Sequence, residues 1–313
     1  MEQKLNFLYC FDNNYNHQAL TSIISLLDNS SEKINLHIIH SDSDFVKVIP
    51  ENIFQHIRLN NLNTYTFEDY DHHFPNLENV HISVATYFRL FIENYLPSNI
   101  SNFIFLDADT ICNKDPVEIL TKKISLLNNS IHTIAARTEH EYKENSENKI
   151  FERLQMNGHY FNAGVMIIDF NKWRKNNVQE DLIIKLEALN NKILQWDQDV
   201  LNSLFNGQYL ELDKNFNFNP HELEHKSEIS NKILFLHFLG SKKPWLTSGV
   251  FNEKSEIYHS NYRKIFSNQY HITHKWKTRS LIEFLKSCLK FKIFNLKFPL
   301  VYTKELFQSF VKD

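Results

Sequence analysis

The chain has 313 residues, 42% hydrophobic and 14% aromatic, which is enough for one large α/β domain or two unequal ones and too apolar for a disordered protein. Its net charge of −3 argues against nucleic acid as a partner, although Lys and Arg crowd the segment after His271. Cys10, Cys112 and Cys288 are odd in number and far apart, which excludes a disulfide framework and a cysteine zinc site and points to a reducing cytosol, while the five glycines form neither a GxGxxG fingerprint nor a phosphate loop.

In chain order, the β-rich runs are LNFLYCF (5–11), INLHIIH (34–40), NFIFLD (102–107), HTIAAR (132–137), GVMIIDF (164–170) and ILFLHFL (233–239). Segments 17–28, 83–95 and 178–189 carry helical spacing between them. Strands this continuously apolar suit a sheet covered by helices on both faces, in which ligands sit at the carboxyl ends of the strands. Asp12, Asp107, Asp109 and His237 all fall at or near such ends. Asn-rich loops occupy 125–150 and 213–232, the second expected to connect without regular structure. The amino terminus shows no basic stretch followed by an apolar one and a cleavage site, and no run reaches transmembrane length, so a soluble body is expected. From Ser255 the character changes. Leu281, Leu285, Cys288 and Leu289 lie roughly along one helical face, and FKIFNLKFPLVY then interleaves Lys with apolar residues, which suits either an anionic membrane surface or a packed helical cap.

Asp107 and Asp109, spaced i and i+2 around the small Ala108, point to one side of the chain and can share a hard cation such as Mg²⁺ or Mn²⁺ that holds a diphosphate. Alone, such a doublet is as easily a solvated turn or a cap ahead of Pro116. LDADTI also fits the DxDx[TV] motif of haloacid dehalogenase-like phosphatases, with Asp107 as nucleophile, but a hundred residues precede it and no glycine is followed by Asp. HELEH (221–225) fits the HExxH zinc pattern, yet Pro220 and polar residues flank it where a long helix is required.

The stretches FLYCFDNNY (7–15), VATYFRLFIENYLP (84–97), FNAGVMIIDF (161–170), WDQDVLN (196–202) and HFLGSKKPW (237–245) surround the DxD in one order. Over residues 4–250 the sequence resembles glycosyltransferase family 8, in particular bacterial lipooligosaccharide galactosyl- and glucosyltransferases. The resemblance implies a GT-A-type, Rossmann-like nucleotide-sugar-binding fold with a mixed, mainly parallel sheet, here residues 1–254, followed by a basic, aromatic-rich helical segment, 255–313. It implies a UDP-sugar donor, Mn²⁺ with Mg²⁺ as the alternative, and transfer with retention.

On the same resemblance Asp107, Asp109 and His237 are the metal ligands. Cys10, Asp12, Asn14 and Tyr15 meet the nucleoside, with Cys10 and Phe11 standing where the pattern commonly has small residues. Arg89, Ala108, Gly240 and Lys243 border the diphosphate; Gly240 lets backbone approach a phosphate and Lys243 adds charge. Arg89, set among apolar residues, must be paired with the acidic pair and diphosphate or with a structural carboxylate. Asn162, Ala163, Asp197 and Gln198 surround the donor sugar, with Asp199 beside them. Asp197, Gln198, Asp199 and Arg89 form the expected catalytic set. Since Gln198 is an amide and a poor nucleophile, a front-face mechanism is favoured over double displacement through Asp199. The expected acceptor is a lipid-linked or surface oligosaccharide at the cytoplasmic face of a membrane; because acceptor surfaces are built from loops such as 65–80 and 213–232, an acceptor polypeptide remains open. A non-catalytic UDP-sugar-binding module and the phosphatase remain as alternatives.

Overall fold

The computed structural model describes residues 4–75, 83–143 and 149–311. Its strands are β1 (Asn6–Phe11), β2 (Ile34–His40), β3 (Leu59–Thr66), β4 (Asn102–Leu106), β5 (Thr110–Cys112), β6 (Ile134–His140), β7 (Tyr160–Asp169), β8 (Leu210–Glu211) and β9 (Phe235–His237). Seven form one sheet in the order β3-β2-β1-β4-β7-β6-β8, and β5 and β9 form a separate pair. Four of the six pairings in the large sheet are parallel; β7 runs antiparallel to both of its neighbours.

Residues on opposite faces of the sheet enter two different cores. Leu8, Phe105 and Met166 pack into one, and Phe7, Ile104, Val165 and Ile167 into the other, so the strands are apolar at nearly every position. Ala19, Ile23, Leu26 and Leu27 give the helix Asn16–Asn29 an apolar stripe at three- and four-residue spacing, and all four are buried in the second core. The residues after β1 and β4, neighbouring strands at the middle of the sheet, meet at the crevice where ligands bind in folds of this kind.

Several sequence expectations shift. Segment 83–95 is not an α-helix but a 3₁₀ segment, Val84–Asn94, interrupted at Phe91 by a non-helical backbone. It buries Ala85, Tyr87, Phe88, Arg89, Leu90 and Phe91 together. Residues 213–232 hold three single 3₁₀ turns, and HELEH falls across one of them, Pro220–Glu222, with no long helix for a zinc site. Of the loops 65–80 and 125–150, residues 76–80 and 144–148 lie outside the described ones.

The packing does not break at residue 254. Tyr258 and Tyr262, on the helix Ser255–Tyr262, share a core with Ile111, Phe218, Leu236 and Trp245. A fourth core then joins Val250 and Phe251 to Tyr270, Phe284, Leu296, Tyr302 and Leu306. On the helix Lys277–Leu289 the inward stripe is Leu281, Phe284 and Cys288, whereas Leu285 and Leu289 point outward at 54% and 81% exposure. Among the described residues no helix is long and apolar enough to cross a membrane.

Candidate active site

The chain reverses immediately after β4. Thr110 donates to the Asp107 carbonyl from both its backbone N (3.1 Å) and its hydroxyl (2.8 Å), and the strand that leaves this turn is β5. β9 pairs antiparallel to β5 with His237 opposite Thr110, which sets an imidazole from 128 residues downstream beside the acidic pair. His237 Nε2 lies 3.0 Å from Asp109 Oδ1 and 3.8 Å from Asp107 Oδ2. One ligand atom from each of the three residues falls within a common 4.8 Å.

This set fits a hard divalent ion: two carboxylates and one imidazole, with further positions free for oxygen ligands. Local charge agrees. Asp107, Asp109 and Asp197 bring three carboxylates against two cations, Arg89 and Lys243, both within ion-pair reach of them. Burial opposes ionisation of Asp109, but Lys243 and His237 outweigh it and hold the carboxyl well below its usual range. The backbone is shaped for the same cluster. A Cβ on Gly164, in the middle of β7, would stand 2.1 Å from His237 Cε1 and 2.9 Å from Asp107 Oδ2.

Arg89 ties this cluster to WDQD. Its Nη2 lies 3.2 Å from Asp107 Oδ1, its Nε abuts Asp197 Oδ2, its Nη1 donates to the Ala163 carbonyl at 2.6 Å, and its guanidinium covers the Phe105 ring at 4.2 Å. This arginine is therefore paired with Asp107 of the acidic pair and with Asp197 at once. The Asp197 oxygen facing Arg89 is held by charge without hydrogen-bond alignment and has no other partner among the described residues, while Oδ1 accepts from the Thr86 hydroxyl. Burial pushes the Asp197 carboxyl up to about 6, against the pull of Arg89 and Thr86.

Gln198 Oε1 accepts from Ala163 N at 2.9 Å, so Ala163 is clamped through its carbonyl by Arg89 and through its amide by Gln198. Gln198 Nε2 donates to Glu139 Oε2 (3.1 Å) and to the Tyr160 hydroxyl (3.2 Å). Asn162 Nδ2 donates to the same Glu139 oxygen at 3.2 Å.

Asp199 does not fit the catalytic set in which it was expected. It has no exposed surface, and its carboxylate accepts from Arg153 (2.6 and 3.3 Å), the Tyr160 hydroxyl (2.9 Å) and the amides of Leu194 and Gln195 (2.7 and 2.8 Å). A carboxylate so saturated anchors the start of the helix Trp196–Phe205 and is a poor nucleophile.

At the end of β1, Asp12 accepts from Asn14 N (3.0 Å) and Asn14 Nδ2 (3.1 Å), so the pair caps a 3₁₀ turn and leaves both side chains at the surface of the crevice. The half-buried Tyr15 phenol is raised by burial and then by Asp109, Asp12 and Asp107, which places it in the same electrostatic neighbourhood. Burial also raises the Cys10 thiol, with Arg89 opposing. Ala108 is buried between the two acidic residues. Lys243 donates to Asp109 Oδ2 and, at 2.7 Å, to the Phe238 carbonyl. Gly240 is exposed with φ +76, and an added methyl group would meet nothing within 4 Å, so its conformation is what calls for glycine.

Gly164, Asn217, Glu139 and Thr86 were not singled out by the sequence. Gly164 carried a usable signal, a glycine inside a strand, which marks close approach. Glu139 was lost because β6 continues beyond Arg137 to His140.

Comparison with known proteins agrees with this geometry. Residues 6–249 match the family model described as Glycosyl transferase family 8. A putative glycosyltransferase of Haemophilus influenzae is 28% identical over 78% of this chain and 73% of its own. A lipopolysaccharide 1,2-glucosyltransferase of Escherichia coli K12 is 28% identical over 77% and 72%. Among solved structures, the galactosyltransferase LgtC in complex with donor and acceptor sugar analogues superposes with a TM-score of 0.69 at 20% identity, covering 88% of this chain and 100% of that one. The phosphatase alternative falls with this match and with Asp107 held between Arg89 and His237. The chain has the GT-A fold and belongs to glycosyl transferase family 8.

Proposed function

We propose that this protein is a retaining, metal-dependent hexosyltransferase that moves galactose or glucose from a UDP-sugar to a lipopolysaccharide or lipooligosaccharide acceptor at the cytoplasmic face of a membrane. The observation that carries the reading is the bridge made by Arg89 between Asp107, in the cation-binding cluster, and Asp197, at the expected sugar end. The two halves of a nucleotide-sugar site are thereby one charged unit. The names of the E. coli relative and of the superposing galactosyltransferase support the donor and acceptor classes.

In this reading Asp107, Asp109 and His237 hold Mn²⁺ or Mg²⁺, which supplies charge to offset the departing diphosphate. Asp12, Asn14, Tyr15 and the Cys10 backbone hold the nucleoside. Lys243 and the Gly240 turn meet the phosphates. Arg89, whose partners here are protein groups, fixes Asp107 and Asp197 in place. Asp197 and Asn162 orient sugar hydroxyls, with Ala163 and Gln198 against the ring.

The C1–O bond to the diphosphate breaks as the acceptor oxygen attacks the same face, and the acceptor proton passes to the leaving phosphate oxygen. Gln198, fixed by Ala163 and Glu139, contributes shape and dipole without bonding to C1. The saturation of Asp199 supports this front-face route over double displacement.

Slow UDP release from a panel of UDP-sugars with Mn²⁺ tests the reading. Release is expected with galactose or glucose donors and lost on adding chelator or in Asp109→Ala. Release of inorganic phosphate from phosphomonoesters, or binding without turnover, would reject it. For the membrane part, Leu289, Phe291 and Phe294 are exposed at 81%, 73% and 74%, beside Lys290 and Lys292. Glutamate at these three positions should abolish sedimentation with anionic liposomes and leave the melting temperature unchanged; undiminished sedimentation would remove this surface from the proposal.

A further inference from the structure

Asn217 lies in the loop ahead of β9, is 1% exposed, and uses every polar side-chain atom it has on the site. His237 Nδ1 lies 2.8 Å from its Oδ1, its Nδ2 lies 2.8 Å from Asn162 Oδ1, and its carbonyl accepts from Arg137 Nη1 at 2.6 Å. The direction of this chain follows from one backbone amide. Gly164 N can only donate, and it meets Asn162 at 3.0 Å, so that atom of Asn162 must be oxygen. The Asn217 atom facing the same oxygen must then be the NH₂ group, since two oxygens at 2.8 Å would repel. Asn217 therefore turns its oxygen to His237, and His237 Nδ1 must carry the ring proton. Nε2 is the ring nitrogen that faces Asp107 and Asp109 and is the one available to a cation.

We infer that Asn217 is the positioning residue that fixes the tautomer and orientation of His237 for cation binding and, through Asn162, locks the cation cluster to the sugar end of the site. This rests on the metal-dependent reading of the site above. A partner on the second ring nitrogen of a metal-binding histidine commonly governs metal affinity by about 10- to 100-fold. Asn217 also spends its amide hydrogen on Asn162, at the expected sugar end. The chain is a relay of orientation with no proton moved along it.

The test is Mn²⁺ titration followed by the electron paramagnetic resonance signal of the free ion, with folding monitored by circular dichroism. Asn217→Ala should weaken Mn²⁺ binding about 10- to 100-fold. Asn217→Asp, which still accepts from Nδ1–H, should return affinity to within about threefold of wild type. Its second oxygen opposes Asn162 Oδ1, however, so the KM for the UDP-sugar should stay raised in Asn217→Asp while Mn²⁺ affinity recovers. A folded Asn217→Ala protein that binds Mn²⁺ as tightly as wild type overturns the assignment. Should that variant not fold, the wild type decides: ¹⁵N-histidine correlation spectra of metal-free protein, with His237 identified by its absence in His237→Ala, should show a proton on Nδ1, and an Nδ1 without a proton overturns the inference. Asp109→Ala separates the two levels: Mn²⁺ binding unchanged in that variant rejects the metal site and the Asn217 role with it, whereas binding lost in Asp109→Ala but kept in Asn217→Ala rejects the role of Asn217 alone.

Discussion

Adding one methyl group to Gly164 is the sharpest perturbation the structure offers. The new Cβ would lie 2.1 Å from His237 Cε1, 2.6 Å from Nδ1 and 2.9 Å from Asp107 Oδ2. Ordinary carbon contacts begin near 3.5 Å, so the imidazole must retreat by about 1.4 Å, several times the roughly 0.2 Å by which metal–ligand distances vary. Retreat is blocked. His237 is 3% exposed, its backbone is paired to β5 and Phe218, and its ring is tied to Asn217. The crowding should cost about 1–3 kcal/mol of stability, as overpacking does, and Mn²⁺ affinity should fall by at least about tenfold because two of three ligands are displaced. Calorimetric titration with Mn²⁺ and urea denaturation measure the two effects separately. A Gly164→Ala protein with wild-type Mn²⁺ affinity would refute the claim that this glycine exists to admit the imidazole.

Gly240→Ala provides the opposite case: nothing obstructs its Cβ, so only the left-handed backbone is penalised, and a stability loss of about 1–2 kcal/mol should be seen with Mn²⁺ affinity unchanged. Asp199→Ala should behave as a broken buried ion pair, losing about 3–5 kcal/mol in urea denaturation because Arg153 is left without its carboxylate. Loss of activity at unchanged stability would restore Asp199 to a chemical role. Acid lability is also expected. Burial pushes His37 down to about 4 and His259 to about 3, and holds His271 far below its ordinary range. All three take up protons in the unfolded chain first, so their contribution is complete well above pH 6.5 and is lost as pH falls through 6.5 toward the folded values. Between pH 7.5 and 5.5 the three together should remove about 4 kcal/mol of stability in urea denaturation, and a flat profile across that window would contradict their burial as neutral rings.

The central strands β1, β2, β4 and β7 were legible because parallel and central strands need apolar residues at almost every position. β3 was missed because LNNLNTYT is an edge strand, half-buried and polar, and β5 and β8 are too short to leave a pattern. That Asp107, Asp109 and His237 come together could be read from the DxD spacing and from the family resemblance of the motif order. What holds them could not. Asn217 sits in a stretch with the composition of any polar loop, and only the pairing of Phe218 with β9 shows that its side chain faces the His237 ring. The surroundings of Asp199 were hidden for a related reason: adjacency in WDQD suggests shared chemistry, but successive helical residues point about 100° apart, and Asp199 turns toward Arg153.

The pairing of β5 with β9 bears on how the protein comes into being. As the ribosome extends the chain, β1 to β4 can assemble early, yet the imidazole that completes the acidic pair arrives only after residue 237 has emerged. A nascent fragment stopping short of β9 would hold Asp107 and Asp109 with Arg89 but without His237 or Lys243, so the cluster is complete only once synthesis has passed that strand.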